Sequence, residues 1–319
     1  MEMTKIIGTG YARAEHCITN AQLSCVVDTN DEWISSRTGI HTRYVSSAEN
    51  TSDLAFRAAK QAIQDAKIDP SSIDLVIVAT ATPDDVTPNV ACMLQARLHL
   101  AKACLAFDLN AACSGYIFAI QVAAALLKQY HCALIVGAEV LSKIIDWTDR
   151  NTCVLFGDGA GACILVPSQR PMYFFARTQG DLKGVLQAQG RPLHPPLINA
   201  RKTYGYLQMD GKEIFRFAVQ AMQEGINHVC QQAQIEPKDI DWIIPHQANA
   251  RIIDHVARRM QLDLSMFYKN VNEFGNTSAA SIAIALACAK AEGKLKPGMK
   301  IVLSGFGGGL SYGAIYLEW

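Results

Sequence analysis

The sequence has no excess of either charge: Lys plus Arg number 29 and Asp plus Glu number 29 among 319 residues. With a pI near 7.1, no global field draws nucleic acid or an anionic membrane, so a charged partner must be met by a local patch. Close cysteine pairs are missing too. The ten cysteines (17, 25, 92, 104, 113, 132, 153, 163, 230 and 288) form no C-x-x-C pair, which argues against a zinc cluster or dithiol redox motif. Scattered thiols in a chain of this size point to a reducing cytoplasm. No apolar run reaches membrane length. The most apolar stretch, "AACSGYIFAIQVAAALL" (111–127), is interrupted by Ser114, Gly115 and Gln121 and reads as a core helix. The opening "MEMTKIIGTG" carries Glu2 early and too short an apolar run for a signal peptide. A phosphate loop is also lacking. "FGDGAGACILV" (156–166) and "SGFGGGLSYGAIYLEW" (304–319) are glycine-rich, but both run into strands and no G-K-[ST] follows.

What remains is a compact α/β chain, half hydrophobic, that says the same thing twice. "SSIDLVIVATAT" (71–82) and "KDIDWIIPHQA" (238–248) are both strand signals, an acidic turn followed by a β-branched run. Each follows an amphipathic helix (52–67 and 212–235) and precedes another (89–100 and 249–262). Next come a short strand ("CLAFDLN", "SMFYKNVN") and a small-residue helix ("AACSGYIFAIQVAAALL", "NTSAASIAIALACAKA"). A strand ending in glycine and a last strand ("GACILVPS", "GAIYLEW") close each half. The interval between matching points is about 165 residues, which predicts duplicated α/β halves over 1–170 and 171–319. Segments of lower order are expected over 168–207, and 189–206, with three prolines and no period, reads as the loop joining the halves and a candidate pocket wall.

Three residues at matching points of the halves carry chemistry. Cys113 opens the first small-residue helix, where the macrodipole favours thiolate; packing is the alternative, since free cysteines are usually buried. His246 ends a buried strand, where the sites of α/β sheets gather; a turn-capping histidine is the alternative. Asn276 precedes the second small-residue helix as an N-cap or as a donor to substrate, and spacing leaves both open. Together they supply a nucleophile, a base or donor, and an oxyanion donor. The backbone around Gly307, Gly308 and Gly309 could donate to an oxyanion as well. In "NARIIDHVARRMQL", Ile252, Ile253, Val256 and Met260 mark a buried stripe. Arg251, His255, Arg258 and Arg259 fall on the other side, where a solvated face is the plainer reading and docking of an acidic partner near His246 the alternative.

From "VDTNDEWISSRTGI" through "NAACSGY", "TDR", "FGDGAGA", "PHQAN" and "GNTSAAS" to "FGGG", the chain resembles the β-ketoacyl-acyl carrier protein synthases III nearly end to end. The resemblance implies the thiolase fold, with duplicated halves in an αβαβα layering, and a homodimer. It implies condensation of an acyl-CoA primer with malonyl-acyl carrier protein, with no metal and no cofactor beyond the coenzyme A thioester. By motif, Cys113 resembles the acyl-accepting nucleophile, and His246 with Asn276 the pair that binds the malonyl thioester oxygen. Gly308 matches the glycine that completes the oxyanion hole with Cys113. Trp33 and Arg150 match positions that sandwich the adenine of coenzyme A, with Arg37 nearby. Asn249 matches a pantetheine contact, Gly211 and Phe215 the tunnel wall, and Arg251 a carrier-protein docking position. Thr87 stands at the tunnel end where some members carry a bulky aromatic, which implies room for primers longer than acetyl. A condensing enzyme or acyltransferase of the same fold serving a specialised secondary-metabolite pathway is the alternative.

Overall fold

The computed structural model describes residues 1–191, 197 and 205–319. The chain opens with β1 (Glu2–Arg13), β2 (His16–Thr19), α1 (Asn20–Leu23), α2 (Asp31–Thr38), β3 (Thr42–Val45) and α3 (Thr51–Ala66). It continues with β4 (Leu75–Ala79), α4 (Val90–Arg97), β5 (Leu105–Leu109), α5 (Gly115–Leu126) and β6 (Ala133–Glu139). Then come β7 (Gly159–Thr178), β8 (Leu186–Gln187), β9 (Gln208–Met209), α6 (Gly211–Ala233), β10 (Trp242–Pro245) and α7 (Ala250–Met260). The last elements are α8 (Val271–Phe274), α9 (Ala280–Ala291), β11 (Lys300–Gly307) and β12 (Ser311–Glu318).

Local chemistry explains the boundaries. Asn50 and Asp53 close a capping box on α3, and Asp210 accepts from Lys212 and Glu213 to open α6. Strand β4 is apolar throughout and β6 up to Glu139, and both are fully buried between helices.

The pairing bears out the duplication. β4 pairs parallel with β5 and β6, β6 antiparallel with β7, and β7 antiparallel with β1. In the second half β10 bridges Phe267 in parallel and pairs parallel with β11. β11 then pairs antiparallel with β12, and β12 with the far end of β7. Helices α5 and α9 touch strands of both sheets and form the central layer; α3 and α4 cover the first sheet, α6 and α7 the second. Small residues let this layer sit close. A β-carbon on Gly161 would fall 2.5 Å from Ala283, and one on Gly137 2.3 Å from the Ala279 carbonyl oxygen. This is the αβαβα arrangement of the thiolase fold.

Three expectations need correction. "SMFYKNVN" is not a full strand: it makes a 3-10 turn at Leu264–Met266, the single Phe267 bridge, and α8. Side chains take the backbone donors that a ladder would use. Asp263 accepts from the Ser265 N–H, and Gln247 Oε1 from the N–H groups of Asn270 and Val271 at 3.0 and 3.2 Å. Neither small-residue helix begins on its candidate residue. Cys113 lies in a 3-10 turn, Ala112–Ser114, before α5, and Asn276 stands four residues ahead of α9, whose N-cap is Ala279. Finally, the strand expected at "GACILVPS" is part of the 20-residue β7, which runs through residue 170 and on to Thr178, so the low order expected from 168 onward does not begin there. The segment expected as a loop at 189–206 lies mostly outside the described residues. Among the described residues no helix is long and apolar enough to cross a membrane.

Candidate active site

A cavity of about 810 Å³ opens between the halves, and Cys113, His246, Asn276 and Gly308 all line it. Cys113 is 7% exposed at its floor. Ala112, with φ +47°, turns the backbone sharply before it, and its N–H is held by Asn110 Oδ1 at 3.1 Å. Gly307 leans on the far side of the same turn, where a β-carbon would stand 2.7 Å from the Cys113 nitrogen. The hydroxyls of Ser114 and Ser311, 2.5 Å apart, tie the cysteine turn to the glycine loop; Ser311 also donates to the Gly308 carbonyl at 3.1 Å. Gly308 N–H donates to no backbone carbonyl among the described residues, leaving it free to face the cavity.

The expected thiolate is corrected to a thiol. Burial pushes the Cys113 thiol up to about 12, against the opposing pull of the Ser278 hydroxyl, and among the described residues no cation contributes to its shift. The N-terminus of α5 begins two residues further on, at Gly115. Behind Ser278 stands the buried Glu139, which burial also holds in its protonated direction. Its carboxyl accepts from Thr80, Thr82 and the Ala81 N–H. Thiolate should therefore grow with pH throughout the accessible range. Iodoacetamide labelling of Cys113, followed on its own peptide by mass spectrometry, should accelerate close to tenfold per pH unit from 7 to 9. A plateau below pH 8 would mean a poised thiolate.

His246 follows β10 and is 1% exposed. Its N–H donates to the Ser304 carbonyl at 2.7 Å, its Nδ1 lies 2.6 Å from Ser281 Oγ, and its ring meets Phe306 edge-on at 5.0 Å. Burial lowers its pKa to about 3, so the imidazole is neutral at working pH. Asn276 is clamped by its backbone: its N–H donates to Leu155 at 2.8 Å and its carbonyl accepts from Gly157 at 3.0 Å. Its Oδ1 accepts from the Ser278 N–H at 2.9 Å, which assigns the amide orientation and leaves Nδ2 as the donor for the cavity.

Trp33, Arg37, Gly211, Phe215 and Asn249 line the outer cavity. Arg251 lies in an adjoining recess with Arg37 and Lys212, making the mouth basic. Asn249 is oriented by two bonds, Oδ1 capping Arg251 N–H and Nδ2 donating to the Arg37 carbonyl, which leaves one lone pair and one N–H for a ligand. Arg150 stacks directly on the Trp33 indole at 4.4 Å and Arg37 at 4.6 Å, so the expected adenine slot is closed. Thr87 requires correction. It is exposed on the loop before α4 and does not line this chain's own cavity; Asp84 ties that loop to Ser52. Sequence reasoning missed Ser278, Ser281, Ser311 and Glu139. Only "TSAAS", with serines three apart after Asn276, carried a signal that could have found any of them. Among the described residues no group of three His, Cys, Asp or Glu could hold a metal ion.

A thiol, a neutral imidazole and a carboxamide converging on one cavity of a thiolase fold define a thioester-processing acyltransferase. The family described as 3-oxoacyl-[acyl-carrier-protein (ACP)] synthase III matches residues 107–181, and its C-terminal counterpart matches 230–319. The chain is 46% identical to the β-ketoacyl-[acyl-carrier-protein] synthase III of Clostridium acetobutylicum, covering 100% of this chain and 99% of that one. It is 45% identical to the Clostridium perfringens enzyme of the same name, with both chains covered in full. The crystal structure of 3-oxoacyl-[acyl-carrier-protein] synthase III from Aquifex aeolicus superposes with a TM-score of 0.92 at 41% identity, over 99% of this chain and 100% of that one. The chain belongs to the β-ketoacyl-acyl carrier protein synthase III family, and it condenses an acyl-CoA with malonyl-acyl carrier protein in fatty acid synthesis. The specialised-pathway alternative is not favoured.

Proposed function

We propose that Cys113 is the nucleophile of a ping-pong condensation and that His246 and Asn276 serve its decarboxylating half. Attack of the Cys113 sulfur on an acyl-CoA creates a tetrahedral oxyanion received by the N–H groups of Cys113 and Gly308. Its collapse forms S-acyl-Cys113, and the thiol proton departs with coenzyme A as free thiol. Malonyl-carrier protein then enters. Its carboxylate leaves as CO2, and the electron pair spreads onto the thioester oxygen, where His246 Nε2–H and Asn276 Nδ2–H donate. The carbanion attacks the acyl carbonyl, a C–C bond forms, and Cys113 leaves as thiolate to be reprotonated by solvent. These steps call on no metal and no cofactor. The observation that carries this reading is the convergence of Cys113, His246, Asn276 and Gly308 on one cavity. Mass spectrometry of Cys113 after a panel of acyl-CoAs, then after malonyl-carrier protein, tests it. Label on Cys113 with no ketoacyl product would favour transfer or hydrolysis instead.

Coenzyme A is assigned to the outer cavity, its adenine between Trp33 and Arg150 once the guanidinium lifts off the indole and closes on the base, its pantetheine past Gly211, Phe215 and Asn249. Arg150→Ala should raise KM for acyl-CoA roughly two- to fivefold, the worth of an exposed cation–π contact, with kcat and the KM for malonyl-carrier protein unchanged. Arg251, with Arg258 and Arg259 on the exposed face of α7, suits an acidic carrier protein. A homodimer is proposed through β5, an open sheet edge with Leu105 38% exposed, and light scattering in solution tests it. The ten free cysteines suit the cytoplasm.

A further inference from the structure

Beside the ring of His246 lies a hydroxyl that the condensation steps do not use. Ser281 is the second residue of α9, is buried, and places its Oγ 2.6 Å from His246 Nδ1. Two arrangements fit that distance. Either Nδ1 carries a proton and donates to the hydroxyl, or the hydroxyl donates to a bare Nδ1 and the ring proton sits on Nε2.

The surroundings separate them. Ser281 Oγ already accepts from the Gln247 N–H at 3.4 Å, and among the described residues Nδ1 is the acceptor within reach of its proton. If Nδ1 were protonated, a buried hydroxyl proton would be left without a partner, at a cost comparable to a lost hydrogen bond. The second arrangement satisfies both groups. Ser281 is itself fixed by the helix start, its N–H donating to the Ser278 carbonyl at 3.1 Å.

We propose that Ser281 is a positioning residue that holds His246 in the Nε2–H tautomer and so makes it a donor to the malonyl thioester oxygen. This rests on the role given to His246 above. Neutrality alone would leave the ring free to present a lone pair to the cavity, which would repel the developing enolate oxygen instead of stabilising it. Burial keeps the ring neutral, and Ser281 chooses which neutral form it takes.

The test uses the full chain labelled with 15N-histidine, its His246 signals assigned by their loss in His246→Ala. His246 should show one protonated and one bare nitrogen, Nε2 and Nδ1 respectively, unchanged from pH 5 to 8. Ser281→Ala should populate the other tautomer and lower kcat for malonyl-carrier protein decarboxylation by about tenfold, with KM and acyl transfer to Cys113 unchanged. Ser281→Thr, which restores the hydroxyl, should recover both signals and rate. A proton on Nδ1 in the unaltered enzyme, or a Ser281→Ala enzyme with the same tautomer and rate, would overturn the proposal. If His246→Ala is slow while Ser281→Ala is fully active, only the role of Ser281 falls. If His246→Ala decarboxylates at the unaltered rate, the role of His246 falls, and that of Ser281 with it.

Discussion

Cys113→Ala should yield no acyl-enzyme from any acyl-CoA, with condensation reduced by roughly 10^4- to 10^6-fold, the scale on which enzymes lose rate when a covalent nucleophile is removed. The variant should fold as before, because the cysteine turn is held by neighbours and not by sulfur: Asn110 holds the Ala112 N–H and Ser114 grips Ser311. Decarboxylation of malonyl-carrier protein should survive, since its two donors are untouched. Product CO2, measured in the absence of any acyl-CoA, checks this directly. A folded Cys113→Ala enzyme that neither condenses nor decarboxylates would break the division of labour proposed for the site.

The converse variants should fail in the other half. Asn276→Ala and His246→Ala are each expected to lose about 10^2- to 10^3-fold in decarboxylation, the cost of one preorganised oxyanion donor. Both should still form S-acyl-Cys113, which then accumulates and is visible in the intact mass. The pH profile carries a second check. With its pKa lowered to about 3, His246 should impose no acidic limb near its ordinary value of 6.5. The same burial makes a stability demand. In the unfolded chain the imidazole takes up a proton below about 6.5, so its contribution to folding is full above that value and erodes as pH falls towards 3. Denaturant midpoints at pH 7 and pH 5 should show that loss, with activity per folded molecule preserved.

Much of this was readable in the letters because it rests on local pattern. β4 and β6 announce themselves as apolar runs, and the stripe of Ile252, Ile253 and Val256 is buried as its helical spacing requires. The repeat order located Cys113, His246 and Asn276 at matching points, and all three line one cavity. What stayed hidden depends on contacts between distant segments. The extended appearance of 265–272 gave way because Gln247, some twenty residues earlier, supplies the acceptor for that backbone. A helix start near Cys113 suggested thiolate, but the charge state follows from total burial, which no single segment reveals. Trp33 and Arg150 were legible as partners, yet their direct stacking belongs to side-chain geometry. The loop that carries Thr87 is tied by Asp84 reaching back to Ser52, a pairing across 32 residues.

The long strand β7 has a consequence for turnover. Its first stretch is laddered to β1 and β6, and its last residues to β12, so a single backbone belongs to both sheets. The two halves therefore cannot rock apart like jaws without tearing a shared row of hydrogen bonds. Exchange of one thioester carrier for the next is then expected at the doorway, by side chains such as Arg150 leaving Trp33. Among the described residues the two halves are joined by a hydrogen-bonded strand as well as by the connecting chain, and that shared strand holds the floor of the site from both sides.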